Sequence, residues 1–412
     1  MSVFRITNPS TRSGEGKTSI KIYQAFLEVY IESLGKKRHT RRQRSMNVPA
    51  RQKKIPFEEM PSSFVGDLNE EPRSLTNCTD AARTNFKFID LFAGIGGIRI
   101  GLERAGCDCV FSSEWDADAA KSYAAYFGDT PAGDITKISS HEIPDHDILA
   151  GGFPCQAFSI IGEMKGFGDT RGTLFFEIER IIRAKQPQAF MLENVRNLVS
   201  HDKGNTFKVI LQHLKMLGYH VHWQILNALD FNLPQKRERV IIVGFKDNHP
   251  FEWPNPQPLT TTLIEVLEKD EDVPKKHFAS ESVRESVEAR LIGKELPSPP
   301  WICHENKAGN ISPLPYSCAL RAGASYNYLL VNGKRRLTPR ENLRLQGFPE
   351  DFPLVVADSA IRKQCGNSVP VKMIEAVAKN IVEALKERPI QMNGAPLRIA
   401  SGQVEILFPE IA

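Results

Sequence analysis

The chain has 412 residues, 41% hydrophobic and 25% charged, as expected of a soluble globular protein with room for two or three domains. No run approaches the ~18–20 uninterrupted apolar residues of a membrane helix, no secretory core opens the chain, and the seven cysteines form no Cys-x-x-Cys pair. A disulfide framework, a zinc module and a membrane partner are therefore excluded as expectations, and a cytoplasmic protein without metal is expected. The net charge of +4 is unevenly spread: residues 1–54 hold thirteen Lys/Arg against three Asp/Glu, a net of +10, which leaves −6 for the remainder.

Residues 1–85 read as an extension. Ile20, Tyr23, Leu27, Tyr30, Ile31 and Leu34 recur at helical spacing, with Thr18 or Ser19 to cap and Gly35 to end the helix. The block from Lys36 to Arg44 suits either a polyanion partner or a solvated arm. A Pro/Ser/acid-rich linker follows over 55–85. Gly16-Lys17-Thr18 is no phosphate loop, because Thr11 stands where the first glycine is required and no strand precedes it.

From residue 86 short apolar runs alternate with helical patterns. Phe88–Leu91, Cys109–Ser112, Asp147–Ala150, Ala189–Leu192 and Val240–Val243 read as strands, and Thr173–Ala184 and Thr206–Leu217 as helices between them. The alternation predicts an α/β fold over 86–248, a doubly wound and mostly parallel sheet with its ligand site at the carboxyl ends of the strands. Prolines then crowd a smaller irregular domain over 249–335. Regularity returns over 336–388, where Thr338, Pro339 and Glu341 make a helix start and Val369–Lys386 forms a last amphipathic helix. Residues 389–412 read as a tail.

The first strand runs into a Gly-rich turn containing Phe92, Ala93, Gly94, Gly96 and Gly97, which allows close approach of a ligand. Asp90, Glu114 and Asp134 each sit at or just past the end of a successive strand and are expected to share one edge. Such acids repel phosphate and welcome a cation, an amine and ribose hydroxyls, all of which S-adenosylmethionine carries. Glu114 stands where ribose is commonly gripped, and Trp115 offers a ring for adenine.

Two further strands end in Phe153-Pro154-Cys155-Gln156 and in Glu193-Asn194-Val195, so a nucleophile and a carboxyl group are expected over one crevice. Downstream, alternation sends Arg237 and Arg239 to one face of a strand and Glu238 to the other. With these segments the chain resembles the cytosine-5 DNA methyltransferases of bacterial restriction-modification type. The likeness rests on nine ordered motifs, among them Asp-Leu-Phe-Ala-Gly-Ile-Gly-Gly, Gly-Gly-Phe-Pro-Cys-Gln, Leu-Glu-Asn-Val, Gln-Lys-Arg-Glu-Arg and Gln-Cys-Gly-Asn-Ser-Val, over about 86–248 and 336–386. Ala157 stands where the family usually has proline, and Cys365 where a bulkier residue is common.

The resemblance implies the methyltransferase fold, S-adenosylmethionine as cofactor and double-stranded DNA as substrate. It implies that Cys155 attacks carbon 6 of a flipped cytosine, that Glu193 holds or protonates N3, that Arg239 fixes the base and that Arg237 supports this wall. It assigns Phe92, Ala93, Gly94, Gly96, Glu114, Trp115, Asp134, Ile135, Pro154, Asn367, Ser368 and Val369 to the cofactor. To the DNA substrate it assigns Gln156, Ser159, Asn194 and Gln235. It also implies that 249–335 is the target-recognition domain. There Arg321 and Asn327 suit base edges, while Lys334, Arg335, Arg336 and Arg340 suit phosphates. A monomer and a cognate restriction endonuclease sharing the site are expected. Two rival readings remain: an RNA cytosine-5 methyltransferase on the same scaffold, and a DNA-binding regulator with a vestigial catalytic domain.

Overall fold

The computed structural model describes residues 85–153 and 174–390. The expected helix over Ile20–Leu34, the basic block, Pro154, Cys155, Gln156, Ser159 and the tail beyond 390 lie outside the described residues.

The five strands expected from apolar runs are present. They are β1 (Lys87–Leu91), β2 (Asp108–Ser113), β3 (Ile148–Gly152), β4 (Ala189–Val195) and, beyond β5 (His220–Asn227) and the short β6 (Gln235–Lys236), β7 (Glu238–Phe245). Their sheet has the order β2-β1-β3-β4-β7-β5. All neighbours are parallel except β7, which runs against both β4 and β5. Helices α1 (Gly97–Arg104), α2 (Ala117–Phe127), α3 (Leu174–Lys185) and α4 (Asn205–Met216) alternate with the strands.

Strand order reverses between β1 and β3, and open α/β sheets place their ligand crevice at the carboxyl ends of the strands at such a reversal. The near-continuous apolar runs have a simple cause: both faces of the sheet are covered. Phe88, Ile148, Met191 and Ile241 turn to one face, where they meet Val377 and Ile381. Ile89, Leu149, Phe190 and Val240 turn to the other, against Phe175, Ile178 and Ile210.

Two expectations need correction. No strand ends at Asp134, which instead caps a single 3-10 turn over Ile135–Lys137, so only Asp90 and Glu114 of the three acids stand at successive strands. The edge strand β5 was not anticipated, because its side chains are mostly half-buried or exposed and give only a weak alternating signal.

After the sheet come α5 (Leu263–Val266), α6 (Glu281–Leu291), β8 (Ile302–Glu305), β9 (Ile311–Leu314), β10 (Ser317–Cys318) and β11 (Leu329–Val331). β11, β8 and β9 form a separate antiparallel sheet, whose small core joins Val287, Trp301, Cys303, Ile311 and Leu330. The chain returns through α7 (Pro339–Gln346), α8 (Asp358–Asn367) and α9 (Val371–Lys386). Thr338 and Glu341 complete the expected capping box of α7. Pro370 lies at the N-cap of α9, so this helix starts two residues later than its apolar periodicity implies.

Candidate active site

One side of the crevice is made by strand tips. Gly152 of β3 is in register with Glu193 of β4, and a Cβ at Gly152 would lie 3.1 Å from Glu193 Oε2. The glycine therefore leaves room for the carboxyl group. Arg239 on β7 donates its Nε–H to Glu193 Oε1 at 2.7 Å, with both side chains nearly buried. Burial pushes the Glu193 carboxyl above its usual range, and the charges of Arg239 and Arg237 pull against that shift. Glu238 points away from this pair and meets Arg196 at 2.7 Å, as the alternation predicts.

Asn194 is spent on the same tip. Its amide donates to Phe153 O at 2.7 Å and its carbonyl accepts from Val195 N at 2.8 Å. The last described residue before Cys155 is thus held by the residue after Glu193. Arg237 is fully buried: it donates to Leu320 O at 2.7 Å and Gly366 O at 2.9 Å, and also to Ser368 O.

The other side is made largely by backbone. Phe92 takes φ 58° and Gly94 φ 57°, so the turn after β1 doubles back on itself. Gly94 N donates to Glu114 Oε2 at 2.8 Å and Asp116 N to Glu114 Oε1 at 2.7 Å. Ala93 N reaches Ser113 O at 2.9 Å. Burial raises the Glu114 carboxyl, while these N–H donors stabilise its charged form. A Cβ at Gly97 would sit 2.8 Å from Ser368 Oγ and 2.9 Å from Val369 Cγ2, and one at Gly96 would strike the Phe127 ring. Asp116 caps α2 and pairs with Lys363 of α8 at 2.7 Å, which ties the Glu114-Trp115 corner to the helix ending at Asn367.

The residues present fit S-adenosylmethionine. Glu114 has used two of its roughly four lone-pair positions on backbone N–H groups, leaving the others for hydroxyl donors. Trp115 is 79% exposed beside it, an uncommon state for an indole unless its face has a partner to meet.

The three acids do not share one edge, which corrects the expectation. Asp90 lies wholly buried inside β1, and burial pushes its pKa up to about 8 against the opposing pull of Arg99. Asp134 is partly exposed and turns to its own neighbours, Thr136 and Lys137. Ile135 is buried in the same cluster against which Phe92 packs.

Gln235 is fully buried, with its amide on Leu345 O, Gln346 Oε1 and Leu320 N. In the antiparallel region, Arg321 stacks over Tyr328 at 4.7 Å, Asn327 Oδ1 accepts from Arg336 Nε at 3.0 Å, and Arg335 is buried against Asp270 and Glu341. Sequence reasoning missed Arg180, whose guanidinium holds Ser140 Oγ and the carbonyls of Ile135 and Ile138. Its Glu177 partner at i−3 on α3 was the one available signal. Among the described residues no group of three His/Cys/Asp/Glu could hold a metal ion, and no helix is long and apolar enough to cross a membrane.

With this geometry in view, the model of one family, C-5 cytosine-specific DNA methylase, matches residues 86–383. The type II methyltransferase M.NgoBI of Neisseria gonorrhoeae is 58% identical over 294 residues, 71% of this chain and 92% of its own. M.HaeII of Haemophilus aegyptius is 56% identical over 300 residues, 73% of this chain and 94% of its own. The solved structure of the Entamoeba histolytica methyltransferase EhMeth superposes with a TM-score of 0.59 at 18% identity, covering 74% of this chain and all of that one. At that identity the likeness shows the methyltransferase fold alone.

Proposed function

The chain belongs to the C-5 cytosine-specific DNA methylase family, and from that premise we propose how its residues divide the work. The enzyme transfers a methyl group from S-adenosylmethionine to carbon 5 of cytosine in DNA. The observation that carries the residue-level reading is the register of Gly152 with Glu193, together with the 2.7 Å pair between Glu193 and Arg239. Cys155 follows Gly152 by three residues, a length of chain that reaches at most ~11 Å. A nucleophile from that segment is therefore confined to the neighbourhood of the Glu193 carboxyl.

Carbon 5 of cytosine is too weak a nucleophile to take up a methyl group unaided. In the proposed path the Cys155 thiolate adds to carbon 6 while Glu193, whose carboxyl burial biases toward protonation, gives a proton to N3. Carbon 5 thereby gains enamine character. When bound, S-adenosylmethionine supplies the electrophilic methyl group. Loss of the carbon 5 proton and elimination of the Cys155 thiolate restore the ring, and Glu193 recovers its proton from N3. Arg239 orients Glu193 and the base, and its charge favours the thiolate. Arg237 supports this wall from within. The carbon 5 face is inaccessible in a stacked duplex, so the base is flipped into the crevice.

Glu114 and Trp115 take the ribose and adenine, with Phe92, Ala93, Gly94, Gly96, Asp134, Ile135, Pro154 and Asn367–Val369 completing the cofactor wall. Residues 249–335 read the target, through Arg321 and Asn327, with Gln156 and Ser159 on the flipped base. The names of the type II relatives support a specific site in DNA and hint at a cognate restriction endonuclease; the proposal takes that site as double-stranded, shared with the endonuclease and met on the nucleoid. They do not favour the RNA enzyme or the vestigial regulator. Bisulfite sequencing of DNA from cells carrying the gene tests the reading: modification in one sequence context is expected, and none in cells expressing Cys155→Ser. Equal modification by that variant overturns the assignment of the nucleophile.

A further inference from the structure

Gln235, Arg237 and Gln346 are polar, adjacent and each completely buried. Groups of this kind are costly in a core unless every one of them is bonded. Most of their side-chain bonds go to two pieces of backbone from elsewhere in the chain, while Gln235 also donates to Leu345 O at 2.9 Å and Arg237 Nε keeps no partner among the described residues. The first is Leu320, whose N–H donates to Gln235 Oε1 at 3.1 Å and whose carbonyl accepts from Arg237 at 2.7 Å. The second is the stretch 365–368. Gln346 Nε2 donates to Cys365 O at 2.5 Å, and Arg237 donates to Gly366 O at 2.9 Å and to Ser368 O. Gln235 Nε2 closes the circuit on Gln346 Oε1 at 3.2 Å.

The two backbones also touch directly. A Cβ at Gly366 would lie 2.2 Å from Ala322 N and 2.7 Å from Arg321 C. β10 adds to β6 in parallel, which delivers Leu320 to this seat two residues after Cys318. Leu320 immediately precedes the loop 321–328, and Ser368 is the middle residue of the cofactor-side segment 367–369.

We propose that Gln346 is a positioning residue: with Gln235 and Arg237 it locks the target-reading loop 321–328 to the cofactor-side segment, so that neither shifts without the other. The proposal rests on the reading of those two segments given above. Coupling of this form is reciprocal, since a seat that transmits strain from DNA to cofactor transmits it equally in return. It makes fidelity a property of a buried junction as well as of the side chains that touch bases.

The test is Gln346→Met, which removes its three side-chain hydrogen bonds, to Cys365 O, Ser368 O and Gln235 Nε2, at nearly the same volume. Affinity for S-adenosylhomocysteine is measured by calorimetry without DNA, and methylated contexts are read by bisulfite sequencing of unmethylated bacterial genomic DNA treated with the purified full chain. The expected result is a joint loss: S-adenosylhomocysteine binds more weakly and off-context methylation rises, each by roughly 5-fold or more. Val377→Ala, a cavity in α9 remote from the seat, lowers thermal stability and leaves the methylated context unchanged. A folded Gln346→Met protein that changes in neither readout, or in only one, overturns the proposal. Should the variant fail to fold, hydrogen exchange on the wild type decides. S-adenosylhomocysteine alone must slow exchange across residues 317–328, and unaltered exchange there overturns the coupling. If the wild type methylates no cytosine in DNA, it is the proposed function that falls, and the exchange result still stands on its own.

Discussion

The two sides of the crevice are built on opposite principles. At the β3-β4-β7 tips the proposed chemistry is in side chains: a buried carboxyl, an arginine paired with it at 2.7 Å, and a glycine that leaves them room. On the side proposed for the cofactor the contacts are mostly backbone. N–H groups of Gly94 and Asp116 clasp Glu114, and Gly97 lets Ser368 and Val369 approach the start of α1. A side-chain wall fails when a functional group is exchanged, whereas a backbone wall fails when an atom is added.

The largest expected effect lies at the side-chain wall. Cys155→Ser should abolish methyl transfer to background while S-adenosylhomocysteine binding, measured by calorimetry, stays within about 2-fold of wild type; comparable loss of both would merge the two walls into one. Glu193→Gln keeps the volume and removes the titratable proton. Its kcat should fall roughly 10²–10⁴-fold, the usual worth of a general acid, with cofactor affinity little changed. Gly97→Ala is the converse experiment. The added methyl meets Ser368 Oγ at 2.8 Å, and overpacking of ~1–3 kcal/mol corresponds to a roughly 5- to 150-fold weaker cofactor complex. A Gly97→Ala enzyme with normal cofactor affinity would show that this wall can give way.

Asp90 sharpens the comparison, because it is a side chain beneath the backbone wall. Its folded pKa of about 8 stands above the ordinary 3.8, so the folded state holds a proton that the unfolded state releases between those values. Stability from this group is full below about pH 4 and is lost as pH rises toward 8. Asp90→Asn has no such loss. In urea titrations the variant should gain on wild type by about 1.4 kcal/mol per pH unit across that window. A stability difference independent of pH would mean that Asp90 is ionised in the fold. The smallest effect concerns residues 1–80. Their deletion should weaken nonspecific, salt-sensitive DNA binding more than turnover, measured by filter binding at two salt concentrations.

The same division explains what was legible in the sequence. β1, β3, β4 and β7 were readable because strands covered on both faces carry unbroken apolar runs, and the placing of Arg237 and Arg239 followed from strand alternation. The position of Glu193 at a strand tip was readable from the apolar run before it, while Cys155 lies outside the described residues. Backbone contacts leave little trace in composition. Nothing in the sequence distinguished Asp134 on a 3-10 turn from an acid at a strand end, or revealed that Asn194 is committed to Phe153 O. Gln235 and Gln346 were opaque for another reason. Their main-chain partners lie 85 residues away for Gln235–Leu320, 110 for Gln235–Leu345 and 19 for Gln346–Cys365, a pairing set by tertiary structure alone.

The central claim is that a sulfur from residue 155 and the carboxyl of residue 193 act on one extruded pyrimidine. Duplex DNA carrying 5-fluorocytosine in the recognised context tests it most directly, because fluorine at carbon 5 cannot leave as a proton and the thiol adduct is retained. After incubation with S-adenosylmethionine, mass spectrometry should find a denaturation-resistant adduct on Cys155, none in Cys155→Ser, and much slower accumulation in Glu193→Gln. An adduct on another residue, or one that forms at the wild-type rate in Glu193→Gln, would contradict the account.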